Sequence, residues 1–239
     1  MKTICKNCGA QIQENYCSNC GQRTTIDKVS FKETFQDVAK TFFSVDAPFF
    51  LTLKEIFFNP GKLFREFLDG KRKTYYKPVS FFVLTTIIYL LVRSLIDYNP
   101  MTTEGIKVEG ELLVEGGKYM VKNINNVMFL FVFSLGLFLK VFFFKRYSLA
   151  EYTAIAFYLI SVYAILGMVA MFYLKFKPPN YKMIPMILFL LYLIYALVSF
   201  FQKNKFIVGI KTVFVFLFSF SVYTLLGFFM SLLIVWIKS

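Results

Sequence analysis

Histidine is absent from all 239 residues of this chain. Its absence removes the commonest general base, the Ser-His and Cys-His nucleophile pairs, and any histidine-ligated metal centre. Acidic residues are sparse, 14 against 27 Lys and Arg. Glu151, at the head of one apolar segment, is the only carboxylate to reach into any of them. Proton- and sodium-coupled transporters usually hold a carboxylate near mid-membrane, and hydrolytic dyads need such groups as well. The P-loop, G-x-S-x-G and H-E-x-x-H patterns are also missing. No residue supports an enzyme. Cysteine does not recur after position 20. The N-terminus is polar and lacks the apolar core of roughly 7–15 residues that marks a cleavable signal peptide, so none is expected.

What is present is apolar surface. Hydrophobic residues make up 57% of the chain and aromatics 20%, with 32 Phe, more than the interior of a soluble domain of this length can hide. Lipid is the natural place for it. The net charge of +13 gathers in the N-terminal third and in short loops, which points to anionic membrane surfaces and to orientation in the bilayer. No nucleic-acid module accompanies the charge, so nucleic acid is not an expected partner.

All four cysteines fall in the pattern Cys5-x2-Cys8-x8-Cys17-x2-Cys20, with Gly9 and Gly21 after the second of each pair. Two residues between cysteines let both thiolates of a tight turn point at one ion, and the following glycine permits the backbone the turn needs. Two such knuckles facing each other supply four sulfurs in a tetrahedron, which suits Zn2+. A segment this short has no core, so metal would supply most of its folding free energy. Two disulfides are the competing arrangement, and iron held by four thiolates fits the same spacing. Four ligands close the coordination sphere, so the expected site is structural, one ion, with residues 1–24 as its ribbon.

Residues 25–77 read as an amphipathic bridge. Ser30 and Glu33 form a capping-box pattern before Phe31, Phe35, Val38, Ala39, Phe42 and Phe43 at helical spacing. A second segment, 48–58, is too apolar to lie in water and too short to span. Asn59-Pro60 then opens a third helix carrying Leu63, Phe64, Phe67 and Leu68 and stopping at Gly70. These helices either pack on a bundle or lie among lipid headgroups. The remainder, 78–239, is predicted as a membrane domain, and the whole chain as an all-α polytopic membrane protein with five transmembrane helices. Judged against about 20 apolar residues per crossing, the spans are Val79–Ile96, Val127–Phe144, Tyr152–Leu174, Met183–Phe201 and Thr212–Ile237. The one large loop, 97–126, alternates in polarity around Glu115-Gly116-Gly117, which predicts a short β-hairpin between Glu109 and Lys122. With the N-terminus cytoplasmic, eleven flanking cations fall inside against seven outside, so this orientation is expected, with the C-terminus periplasmic. A cytoplasmic N-terminus also keeps the thiols reduced.

Immediately before the first span, Lys71, Arg72, Lys73 and Lys77 flank Tyr75 and Tyr76. Rings at the headgroups and cations on anionic phosphates would make this a lipid-binding anchor, or simply a topogenic stop. Arg93 and Lys140 lie near span ends, where snorkelling explains them; Arg93 is also a candidate polar site inside the bundle. Ser148-x-x-Glu151 reads as another capping box, Pro178-Pro179 as a rigid outer turn, and Gly136, Gly167 and Gly227 as sites of close helix packing.

The ribbon ending "YCSNCGQ", the amphipathic bridge and "NPGKLFREFLDGKRKTYYKP" together resemble an uncharacterised integral-membrane family of Bacteroidetes, a domain of unknown function, over the chain through about Ile96. The resemblance implies the inner membrane of a Gram-negative cell and carries no activity. Asn59-Pro60-Gly61-Lys62 ahead of five spans also resembles the Yip-type fold, a likeness of fold alone. The function expected is a non-enzymatic adaptor whose cytoplasmic zinc ribbon recruits a protein partner through residues such as Gln11, Gln13, Asn15, Tyr16 and Arg23. A transporter, channel or lipid-handling protein is the alternative. It would need a polar path, for which Thr85, Thr86, Ser134, Ser161, Ser219 and Ser221 are the material.

Overall fold

Proline and glycine set where the helices of the bridge begin and end. The computed structural model describes residues 3–12, 15–23, 47–97, 111–123, 127–175 and 183–238. The expected helix at Ser30–Phe43 and the Pro178-Pro179 turn lie outside them. Helix α1 is Ala47–Phe58 and α2 is Pro60–Leu68. Pro60 stands in the first turn of α2, where a missing N–H costs nothing. Asn59 accepts the Lys62 and Leu63 N–H groups on its carbonyl, at 3.0 and 3.1 Å, and not on its side chain. Gly70, at φ +112°, ends the turn after Asp69. Pro78 then opens α3, Pro78–Ile96.

The remaining helices are α4 (Glu111–Asn123), α5 (Met128–Phe142), α6 (Leu149–Leu174), α7 (Ile184–Phe201) and α8 (Lys205–Lys238). Four helices, α3, α6, α7 and α8, are long and apolar enough to cross a membrane. The predicted second span is shorter than expected. Its helix has 15 residues, roughly 22 Å of rise, below the length a crossing usually takes. The last helix is longer than expected, 34 residues, because Asn204 starts it early by accepting the Phe206 and Ile207 N–H groups on Oδ1.

The predicted β-hairpin is corrected outright: all of it from Glu111 onward is helix α4. Gly116 and Gly117, read as a turn, are both buried within the helix, and Gly116 faces α8. A Cβ on Gly116 would come within 2.5 Å of Leu232 Cδ2. Alternating polarity suggested strands, but close packing against α8 decides the matter.

Helix α6 lies at the centre, with α3, α5 and α7 packed on it, while α8 packs on α4, α5 and α7. The starts of α3, α6 and α8 and the ends of α5 and α7 meet at one end of the bundle, where Phe143 stacks on Phe201 at 4.1 Å. In lipid, helices gain little from hiding apolar surface from one another, so close packing carries the association. Gly136 lets α5 approach Thr153 of α6, where a Cβ would meet Thr153 Cα at 3.0 Å. Gly167 does the same for Tyr89. Ser134 Oγ donates to the Ser219 carbonyl at 2.6 Å and ties α5 to α8.

Of the two placements open to α1 and α2, both pack on the bundle. Phe64, Phe67 and Phe81 surround Tyr158 of α6 at ring distances of 6.1, 5.7 and 6.0 Å. Tyr192 and Tyr195 of α7 donate to the Ile56 and Phe58 carbonyls at the end of α1. In return, Arg65 of α2 donates to the Ser199 and Phe200 carbonyls at the end of α7, at 2.6 and 3.0 Å. Gly61 makes this possible: a Cβ there would stand 2.3 Å from the Ser199 backbone.

Candidate metal centre and its dock on the bundle

The two cysteine pairs form one turn built twice. Cys5 N–H donates to the Ala10 carbonyl at 2.9 Å, and Gly9 N–H returns to the Cys5 carbonyl at 2.8 Å. In the second copy Cys17 N–H donates to Gln22 at 2.8 Å and Gly21 N–H to Cys17 at 2.7 Å. Gly9 and Gly21 sit at φ +76° and +66°. A Cβ would meet nothing at either, so conformation and not space requires glycine there. Strands β1 (Thr3–Ile4) and β2 (Gln11–Ile12) pair antiparallel beside the first turn, and Tyr16 bridges to Arg23 beside the second.

These turns aim all four sulfurs inward. The Sγ atoms lie within 4.8 Å of one another, with Cys5–Cys20 and Cys8–Cys17 each at 3.6 Å. The four are free thiols, not disulfides. A tetrahedron with metal–sulfur bonds near 2.3 Å would set its sulfurs roughly 3.8 Å apart, so the cluster could hold a metal ion. The Ala10 backbone N–H, against some desolvation, lowers the Cys8 thiol to about 6. Burial pushes Cys20 up to about 11, opposed only in part by the Gln22 backbone. Beyond the cysteines the ribbon's core is Ile12 with Ala10 against it.

The ribbon is docked on the juxtamembrane loop. Gln22 Nε2 donates to the Gly70 carbonyl at 2.8 Å, and Lys73 N–H donates to Gln22 Oε1 at 3.3 Å. Asn7 Oδ1 accepts from the Thr74 N–H at 3.0 Å and from its hydroxyl. Two residues further on, Tyr76 N–H donates to Thr52 Oγ1 of α1 at 2.8 Å, and the Tyr76 carbonyl accepts from the buried Tyr158 hydroxyl. A continuous run of backbone thus joins the cysteine turns to the centre of the bundle.

This places the predicted basic segment differently from an outward-facing anchor. Tyr75 and Tyr76, expected at the headgroups, are buried, 3% and 6% exposed. Their rings hold the loop to α2 and the bundle. Tyr75 donates to Glu66 Oε2 at 2.6 Å, and Lys71 pairs with Glu66 Oε1 at 2.9 Å. Burial favours the neutral Glu66 carboxyl, but Tyr75 and Lys71 outweigh it and hold its pKa below the ordinary value. Burial first, then Glu66, pushes the Tyr75 phenol well up. Lys73 is exposed, and Arg72 and Lys77 are half-buried.

Arg93 is half-buried in the last turn of α3, at the opposite end of the bundle from the cysteines. Lys140 extends past the end of α5, its ammonium donating to the Phe144 and Tyr147 carbonyls at 2.7 and 2.9 Å, the direction a snorkelling lysine takes. The Ser148–Glu151 capping box is present in full. Thr85, Ser134, Ser161, Ser219 and Ser221 all donate to backbone carbonyls. Thr86 Oγ1 is buried without a partner. Asn7, Gln22 and Thr74 were not singled out from the sequence. The doubled C-x-N-C-G, CKNCG and CSNCG, holds Asn7 as its repeated Asn, and Gln22 follows the second copy where Ala10 follows the first.

A family model described as "Protein of unknown function (DUF3667)" matches residues 46–90. The match covers α1, α2, the loop that receives the ribbon and most of α3. No curated protein and no solved structure matches the chain.

Proposed function

We propose that this protein is a non-enzymatic adaptor of the bacterial inner membrane, with a zinc-structured ribbon held at the cytoplasmic face to recruit a protein partner. On this reading the chain makes five passes, α5 included, with the N-terminus inside and the C-terminus in the periplasm. The observation that carries the reading is the closed four-sulfur cluster fastened to the bundle through Asn7 and Gln22. Four thiolates leave no position for a substrate, and zinc suits such a set. Yet Ile4 and Tyr16, 65% and 60% exposed, stand out on a module of some twenty residues. Charge segregation supports the orientation: Lys62, Arg65, Lys71–Lys73, Lys145, Arg146 and Lys203 gather at the ribbon's end. Lys71, Arg72, Lys73 and Lys77 would meet anionic phospholipid there. Five of the six hydroxyls that could line a conducting path, all but Thr86, already donate to backbone, which favours the adaptor over a transporter.

The test is capture of partners from native membranes in mild detergent, with metal content measured on each variant. Tyr16→Asp should keep one zinc and lose the partner set, while Cys17→Ser/Cys20→Ser should lose both. If both variants capture the wild-type set, the ribbon is not the recruiting element and the reading falls.

A further inference from the structure

A cavity of about 510 Å³ opens at the ribbon's end of the bundle, between the end of α5, the 143–148 turn, the end of α7 and the start of α8. Lys145, Arg146, Lys203 and Lys211 line it, and no carboxylate does. Its walls are Phe142, Phe143, Phe201, Ile207 and Val208. Among the described residues none of the four cations makes a salt bridge. Part of their charge answers helix ends. Lys211 donates to the Phe142 carbonyl at 3.1 Å and Arg146 to Phe201 at 2.9 Å. Each uses one donor of several. Lys145 only approaches the Phe144 ring, at 5.5 Å. The first N–H groups of α8 are taken by Asn204, so the attraction for an anion comes from the side chains.

We propose that this cavity binds one anionic glycerophospholipid, its phosphate among the four cations and its acyl chains along the outer face of α8. Three features select that occupant. Four cations without a carboxylate ask for a headgroup of net negative charge and disfavour a choline or ethanolamine ammonium. The walls are aromatic and aliphatic, which a small hydrophilic phosphate would leave uncovered. The rim runs on into Ile210, Phe214, Leu217 and Phe218, all exposed along a membrane-spanning helix. The site lies where the spans end, at the depth of headgroups. It differs from the Lys71–Lys77 loop and does not depend on the adaptor reading.

The full-length protein in detergent, stripped of lipid, is titrated with short-chain phosphatidylglycerol, with phosphatidylcholine of the same chains, and with free glycerol phosphate. Binding is read by native mass spectrometry and by the thermal midpoint. Phosphatidylglycerol should bind at least tenfold more tightly than phosphatidylcholine, and glycerol phosphate should not compete. Lys145→Ala/Lys203→Ala, which removes no helix-end hydrogen bond, should weaken phosphatidylglycerol about tenfold. Ile207→Trp, which fills the wall and leaves the charge, should weaken it to a like degree. Lys71→Ala/Lys73→Ala should not. The proposal is overturned if the two lipids bind equally, or if glycerol phosphate displaces the lipid. It is also overturned if Ile207→Trp binds as wild type, which would mean a diffuse field of charge and no site.

Discussion

The ribbon and the bundle are held together by different physics, and they meet across a few hydrogen bonds. Among the described residues the ribbon buries three apolar side chains, Cys5, Ile12 and Cys17, besides Gln22 at its dock, so four sulfurs and paired turns have to define it. The bundle buries tens of apolar and aromatic side chains and has no ion pair at its centre among the described residues. A fold as small as the ribbon gains little from burial against its chain entropy, so a bound metal would have to supply much of the balance. A bundle in lipid cannot rely on the hydrophobic effect between helices and depends on fit. The joint at Gly70–Thr74 belongs to neither: it is polar, with Gln22 and Gly70 buried in it, and made by side-chain amides on backbone.

If that contrast is right, the two regions should fail separately. The largest effect is expected from Cys17→Ser/Cys20→Ser, where the ribbon loses a contribution on the order of 10 kcal/mol from its metal. Metal content should drop from one ion to none and residues 1–23 should become open to protease, while helicity by circular dichroism and the thermal midpoint of the bundle change little. A bundle that melts with the ribbon would show the two to be one cooperative unit. Next comes Gly61→Ala, which drives a Cβ into the Ser199 backbone, an atom that cannot rotate away. It should cost about 3 kcal/mol in denaturant unfolding. Gly116→Ala, which meets only the flexible end of Leu232, should cost about 1 kcal/mol.

Gln22→Ala sharpens the comparison at the joint. It removes the bond to the Gly70 carbonyl and should cost about 1–3 kcal/mol locally. Hydrogen exchange should rise at residues 70–74 with metal content unchanged. Smallest is the pH effect at Glu66. Its pKa is lowered on folding, so its contribution is whole above the ordinary value of 4.5 and is lost as pH falls through the folded value. The stability difference between wild type and Glu66→Gln should therefore shrink below pH 4.5. A difference that persists there would place the effect in packing, not in charge.

Much of the architecture was legible because it rests on strong local signals. The cysteine spacing with Gly9 and Gly21 announces two turns facing one point. Asn59-Pro60 and Gly70 bracket α2, and Ser148-x-x-Glu151 opens α6 by bonds within four residues. Where the reading failed, distant contacts had overridden local pattern. Gly116-Gly117 looks like a turn until α8 is laid against it. Tyr75 and Tyr76 look like headgroup anchors until Glu66 and Tyr158 are seen to hold the loop inward.

The sequence by itself determined that this chain is mostly helical, carries apolar segments of membrane length and gathers four thiols at one end, because periodicity, length and Cys-x2-Cys spacing are local properties. Only the tertiary structure decided that the ribbon docks on Gly70–Thr74, that Arg65 and Arg146 close the end of α7, and that four cations from three separate stretches line one cavity. Those residues lie tens to more than a hundred positions apart, and their partners are largely backbone atoms, whose position no side-chain pattern encodes.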